Sequence, residues 1–372
     1  MRVREHNPKY MHPIVGLGLF AGALAWLFSK DKDSKMPAVQ KQFEDFHGTI
    51  KLDEDDEKAT LREKREILIK ALKNKLPDDV PAFDNFNQGS YSMHTGVVPI
   101  DGNYDIDVCL VFDCKKEKYL DPVVLKKKVR DALDSNFRTV AIRRHCVTVN
   151  YLVDGEPEYH VDLAIYSKRD DGLLDLAKGK ENSATEFRVW EKADPNKLTE
   201  LIRTAFTDTD ELAQYRRCIR YMKRWRHVQF RNGGAPLSIA LTCAARDWFQ
   251  PNFSTTGKPL DLLAMLDWAK DMLARWEAVV TSEDGFYYRL KVNLPVEPYG
   301  DLMEGMTKGQ MDAFKQCLEG LRDSLQSAYD EELPEDACKT LRKQFGDDFQ
   351  IPEKQATAKA VTAPVISTGS SA

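Results

Sequence analysis

Hydrophobic and polar residues alternate strictly through 105–112, DIDVCLVF, the period of a strand buried on one face. Ile106, Val108, Leu110 and Phe112 fall on one side, and Asp105, Asp107, Cys109 and Val111 on the other. Further strand signals lie at 83–86, 146–153 and 159–165, the last two joined by Asp154-Gly155, a hairpin turn pair. Leu61, Leu68, Leu72 and Leu76 recur at helical spacing with Lys, Arg and Glu between them. They predict one long amphipathic helix over about 53–76, whose acidic start suits the helix dipole and which Pro77 and Pro81 end. A second helix is predicted over 122–136, packed on the sheet through Val124, Leu125, Val129 and Leu133. The expected first lobe is therefore α+β, with a mixed sheet.

After about residue 195 strand signals become sparse. Helical patterns cover 198–206, 210–227, 236–249, 259–280 and 307–332, so a mainly helical second lobe is expected. Residues 293–301, with two prolines and a glycine, read as a loop. The last stretch, 352–372, is small and polar, lacks a packable face and is expected to be disordered. No internal repeat is visible.

Composition narrows the function classes. A chain of 372 residues with 42% apolar content can bury a sizeable core. A net charge of −5 argues against a surface built for duplex nucleic acid, which carries a basic footprint. The seven cysteines are scattered, with no CxxC pair and no zinc spacing, and read as reduced thiols filling cores.

The chemistry concentrates around the alternating strand. Same-face side chains lie roughly 7 Å apart along a strand, so Asp105 and Asp107 can converge on one site. Asp162, in YHVDLAIY, opens a second strand that can pair alongside. Three converging carboxylates repel one another unless a cation neutralises them, and hard oxygen ligands of this kind suit Mg²⁺. Upstream, Gln88-Gly89-Ser90 forms a tight turn whose free N–H groups and hydroxyl can hold a phosphate. A phosphate cradle beside a two-metal carboxylate cluster is the machinery of phosphoryl or nucleotidyl transfer.

With these residues in place, the chain resembles the DNA polymerase β-like nucleotidyltransferase superfamily. More narrowly, QGSYSMHTGVVPIDGNYDIDVCLVF and YHVDLAIY resemble the bacterial cyclic GMP-AMP synthase-like enzymes (DncV-like, or CD-NTase) of anti-phage signalling, over about residues 40–345. One departure is the gap between Ser90 and Asp105, longer than the superfamily's. The resemblance implies a catalytic lobe over 36–195 and a helical lobe over 196–350, joined by a long N-terminal spine helix behind both. It implies two Mg²⁺ (or Mn²⁺) ions on Asp105, Asp107 and Asp162, with Asp162 also drawing off a hydroxyl proton. Donor triphosphate would rest on Gln88, Gly89 and Ser90, and on a lysine and serine of the helical lobe, which map to Lys223 and Ser238. On residue type alone, Lys223 with Arg220, Arg224 and Arg226 reads as a solvated basic face. Ser238 follows Pro236 into a helix start, where free N–H groups face a phosphate. His160 reads as a structural histidine, and Tyr287 and Tyr288 as strand packing.

The expected reaction joins NTPs into a cyclic di- or trinucleotide. The rival enzyme reading is a nucleotidyltransferase that extends a polynucleotide, for which Arg216, Arg217, Arg220, Lys223, Arg224, Arg226 and Arg231 supply a candidate basic groove. A rival from another class is an idle scaffold on the same fold. Without the animal enzyme's zinc insertion, activation by duplex DNA is not expected. The tail over 351–372, ending in Ala372, reads either as a frayed terminus or as the substrate of a ubiquitin-transfer-like conjugating enzyme, as in many bacterial relatives.

Residues 14–28, IVGLGLFAGALAWLF, form fifteen uncharged residues between basic flanks, short of the roughly 17–25 of a spanning helix. Export would part the enzyme from its NTPs. Either this leader (1–35) tethers a cytoplasmic catalytic body to the inner membrane, or translation begins at Met36.

Overall fold

The computed structural model describes residues 38–52, 57–102, 104–135, 138–153, 156–281 and 285–353. The leader, residues 354–372 of the tail and the Asp154-Gly155 turn lie outside the described residues. No helix among the described residues is long and apolar enough to cross a membrane.

A seven-stranded mixed sheet organises the first lobe. Its strands are β1 (Phe83–Asn87), β2 (Tyr104–Phe112), β3 (Arg138–Ile142), β4 (Val147–Val153), β5 (Glu156–Lys168), β6 (Leu174–Ala177) and β7 (Trp190–Ala193). The main path runs β1-β2-β5-β4-β3, with β6 pairing β5 and β7 pairing β6. β2 and β5 are parallel, whereas β1 joins β2, and β4 joins β5, antiparallel. The alternation expected of β2 is present: Ile106, Val108, Leu110 and Phe112 are buried in the main core of this lobe, and Cys109 and Val111 belong to a smaller cluster with Ala164 and Tyr166.

Two helices close the main face. α2 (Glu57–Lys75) contributes Leu68, Ile69 and Leu72, and α4 (Pro122–Leu133) contributes Leu125, Val129 and Leu133. Pro122 opens α4 because its missing N–H costs nothing there, and the Asp121 side chain accepts from Val123 N at 2.9 Å.

The long N-terminal helix forms, and among the described residues its buried side chains, Leu68, Ile69 and Leu72, join the core of the sheet lobe. The helical lobe is reached instead by a separate helix, α1 (Gln40–Ile50), which the sequence reading did not anticipate. Phe43, Phe46 and Ile50 recur on one α1 face and enter the core of the helical lobe. That lobe comprises α5 (Pro195–Arg203), α6 (Thr209–Gln229), α7 (Ser238–Trp248), α8 (Asp261–Leu273), α9 (Lys308–Asp330) and α10 (Pro334–Phe345). Between β1 and β2 lies α3 (Gly89–Ser92), a single turn.

The helix expected over 259–280 is corrected. α8 stops at Leu273, and Trp276–Thr281 (β8) pairs with Gly285–Leu290 (β9) as a two-stranded hairpin. The run WEAVVT is rich in β-branched and aromatic residues, and its alternation was masked by the apolar helix before it. Tyr287 is buried in this hairpin as expected of a packing residue, whereas Tyr288 is exposed, with Lys315 Nζ 4.6 Å from its ring centroid.

Candidate active site

Parallel pairing of β2 with β5 sets the geometry of the acids. The register places Asp105 opposite His160 and Asp107 opposite Asp162. β4 then brings Thr148 opposite Asp162, and its hydroxyl donates to Asp162 Oδ1 at 2.6 Å. Asp105, His160 and Asp162 each present one ligand atom within 4.8 Å of the others, a set able to hold a metal ion. The histidine read as structural is therefore part of the acidic cluster. His160 Nε2 stands 3.2 Å from Asp105 Oδ1. That hydrogen bond, with the charges of Asp105, Asp162 and Asp107, raises the imidazole above its ordinary pKa.

Asp107 behaves differently. Burial, then repulsion from Asp105 and Asp162, pushes its carboxyl up to about 8. An acid held this unfavourably is one that a cation would restore to its charged form. Carboxylate, carboxylate and imidazole make a donor set that fits a divalent ion, and Asp107 interacts through its charge with all three.

The turn expected at 88–90 packs directly on this carboxylate. Gln88 N donates to Asp107 O at 3.0 Å, and Gly89 has φ +67°, which glycine adopts without penalty. The Gln88 side chain is turned back into the fold: its Oε1 accepts from Cys109 Sγ at 2.9 Å and from the Tyr166 hydroxyl at 3.0 Å. Gln88 thus anchors the turn, and the turn's hydroxyl at the cleft is that of Ser90.

Both lobes meet over a cleft of about 1110 Å³. Its walls include Gly89, Ser90, Asp105 and Asp107 from the sheet lobe, and Lys223 and Ser238 from the helical lobe. Of the expected site residues only Asp162 lies off this cleft, on a neighbouring cavity that shares Gln88, Asp107 and His160 with it. Ser238 is the first residue of α7, which aims that helix's N-terminal N–H groups at the cleft.

The solvated basic face is corrected. Lys223 is buried, and its Nζ donates to Thr95 O and Thr95 Oγ1, each at 3.0 Å. Burial, reinforced by Arg220, brings its pKa down to about 7, while Asp107 opposes the shift. Arg220 donates to Gly96 O at 3.0 Å and also to His94 O, and Arg224 donates to Val98 O at 2.9 Å. Arg217 is paired with Asp261 at 2.8 Å, Arg216 reaches Arg203 O and Arg226 reaches Pro236 O. Of the candidate basic groove, only Arg231 has none of these bonds to spend, and it stands at the cleft wall.

Residues 83–166, which hold the turn, all three aspartates and His160, match the family profile of the cyclic GMP-AMP synthase DncV-like nucleotidyltransferase domain. The resemblance carried by QGSYSMH and YHVDLAIY agrees with this match. A cyclic GMP-AMP synthase of Escherichia albertii is 30% identical over 185 residues, 46% of this chain. The match spans only 38% of that relative's length. Among solved structures, the CD-NTase CdnG of Bradyrhizobium diazoefficiens in complex with GTP superposes with a TM-score of 0.64 at 16% identity, covering 84% of this chain and 96% of that one. Vibrio cholerae DncV, a cyclic AMP-GMP synthase solved with nonhydrolyzable GTP, gives 0.59 at 19% identity, covering 82% and 93%. At these identities the superpositions establish the fold alone, over most of both lobes.

Proposed function

We propose that this enzyme joins NTPs into a cyclic di- or trinucleotide in a divalent-metal-dependent reaction, as a signal in anti-phage defence. The observation that carries the reading is one cleft that joins Ser90, Lys223 and Ser238 to an acidic cluster. Such a cleft suits a triphosphate whose α-phosphate faces the carboxylates. Divalent ions, when bound by Asp105, Asp107 and Asp162, would neutralise the acids and draw charge from the reacting oxygens.

The chain's own residues do the rest. Ser90, Lys223 and the start of α7 would bind the donor's phosphates. Lys223 would exchange Thr95 for the triphosphate, recovering the charge that burial disfavours. Asp162, held by Thr148, would take the proton from the attacking hydroxyl. The new bond joins that oxygen to the α-phosphorus; the bond to the β-phosphate oxygen breaks, and pyrophosphate leaves. His160 orients Asp105 through their shared contact.

Extension of a polynucleotide fits less well, because the arginines that would track a backbone hold internal carbonyls and carboxylates instead. Purified protein incubated with labelled NTPs and Mg²⁺ or Mn²⁺ tests the reading. A small phosphatase-resistant product supports it; a polymer, extended RNA or no product rejects it. Conjugation at Ala372 by a ubiquitin-transfer-like enzyme belongs to the same proposal, and conjugates that persist without the last residues would reject it.

A further inference from the structure

The acidic cluster departs from an all-carboxylate set in one ligand. Asp105, Asp107 and Asp162 are the expected acids, yet the ligand atoms that gather within 4.8 Å of one another are those of Asp105, Asp162 and His160. Pairing of β2 with β5 puts His160 directly across from Asp105, and His160 and Asp162, two residues apart on β5, share a face. His160 Nε2 stands 3.2 Å from Asp105 Oδ1. Neighbouring donors on an octahedral ion lie about 3 Å apart, so this pair already has the separation of two ligands to one ion. The imidazole is half-buried and borders both the main cleft and the smaller cavity behind the acids. Thr148 holds Asp162 at 2.6 Å, as hydrogen-bonded neighbours hold carboxylate ligands in metal sites.

We propose that His160 is a direct ligand to the divalent ion held by Asp105 and Asp162, and that its nitrogen makes the site select a first-row transition ion, Mn²⁺, over Mg²⁺. The inference deepens the metal-dependent reading and rests on it. Mg²⁺ is a hard ion that takes oxygen donors and gives up water reluctantly, so a nitrogen adds little to its binding. First-row transition ions accept imidazole readily, which favours them in a mixed nitrogen and oxygen site. Mn²⁺ also keeps a six-coordinate habit that leaves positions for phosphate oxygens, whereas Zn²⁺ favours four. With an ion bound, Nε2 offers its lone pair to the metal and the ring proton sits on Nδ1. The contact with Asp105 serves the ion-free cleft, where it keeps both groups in place.

Electron paramagnetic resonance of Mn²⁺ on the full chain tests the assignment without turnover. Spin-echo modulation detects a nitrogen nucleus bonded to Mn²⁺, and is recorded with Mn²⁺ alone and again with an α,β-methylene NTP. The free-ion signal gives the Mn²⁺ Kd, and competition gives that of Mg²⁺. Wild type should show nitrogen modulation and bind Mn²⁺ about tenfold or more tightly than Mg²⁺. His160→Gln offers an oxygen in place of the nitrogen and retains an N–H for Asp105. It should lose the modulation and about tenfold in Mn²⁺ affinity, while Mg²⁺ affinity moves by less than about threefold. Circular dichroism checks the fold of the variant; if it has not folded, the wild-type modulation and ion preference decide alone. Bound Mn²⁺ without nitrogen modulation in wild type, or modulation and preference that persist in folded His160→Gln, overturns the proposal and leaves the metal-dependent reading standing. Binding of neither ion, with or without nucleotide, removes that reading and this inference together.

Discussion

Asp107 lies against the backbone of Gly89 so closely that a Cβ built on the glycine would overlap Oδ2 and stand 2.7 Å from Cγ. The turn and the acid are therefore one unit, and the smallest side chain separates them. Gly89→Ala also meets a positive φ, which costs about 1 kcal/mol or more. Turnover should drop by roughly two orders of magnitude, since small displacements of catalytic groups have effects of that size. Thermal melting should show only a modest loss. A variant with wild-type turnover would sever the turn from the chemistry.

Asp107→Asn tests the acid separately from the turn. Amide for carboxylate keeps the shape and removes the repulsion that raises this group's pKa. Without divalent ions the variant should melt at or above the wild-type temperature. Mg²⁺ should raise the wild-type Tm and move the variant's less. Product formation should fall by about two to three orders of magnitude.

Lys223 offers a pH signature as well as a kinetic one. Lys223→Met should raise the KM for NTP more than it lowers kcat, because an ammonium on the triphosphate serves ground and transition states alike. Its folded pKa of about 7 lies below the ordinary lysine value. Between those two values the unfolded chain holds a proton that the folded chain has largely shed, so this group adds stability as the pH rises. Across pH 7 to 9 the Tm of wild type should climb relative to that of Lys223→Met, measured without nucleotide. Parallel Tm profiles would count against the shift.

Thr148→Val removes the donor to Asp162 Oδ1 while nearly conserving volume. The expected result is a fall in kcat of about tenfold with KM little changed. If the hydroxyl were mere packing, kcat would not move.

The sheet lobe was legible because its information is local. Strict alternation in 105–112 fixed which residues face the helices, and Gly89 between Gln88 and Ser90 marked the turn. What register decides was not legible. His160 joins Asp105, and Thr148 joins Asp162, only because parallel and antiparallel ladders align them, and no spacing along the chain encodes that. Short strands such as β6 and β7 carry too few residues for a period to show. The α6 cations misled for a related reason: charge reads as exposure until the carbonyls that bury it are known. α1 was legible in principle, since Phe43, Phe46 and Ile50 repeat at helical spacing over its eleven residues.

The long interval between Ser90 and Asp105 acquires a purpose from the side chains that hold it. Arg220, Lys223 and Arg224, one turn of α6, bind four consecutive-to-near residues of that interval, His94, Thr95, Gly96 and Val98. The end of α1 adds Val98 N to Ile50 O at 2.9 Å. Opening the lobes as a clamshell would strand buried cations and carbonyls together. Under the proposed function, a nucleotide would enter a vestibule of preset width and be selected by what fits rather than by closure around it.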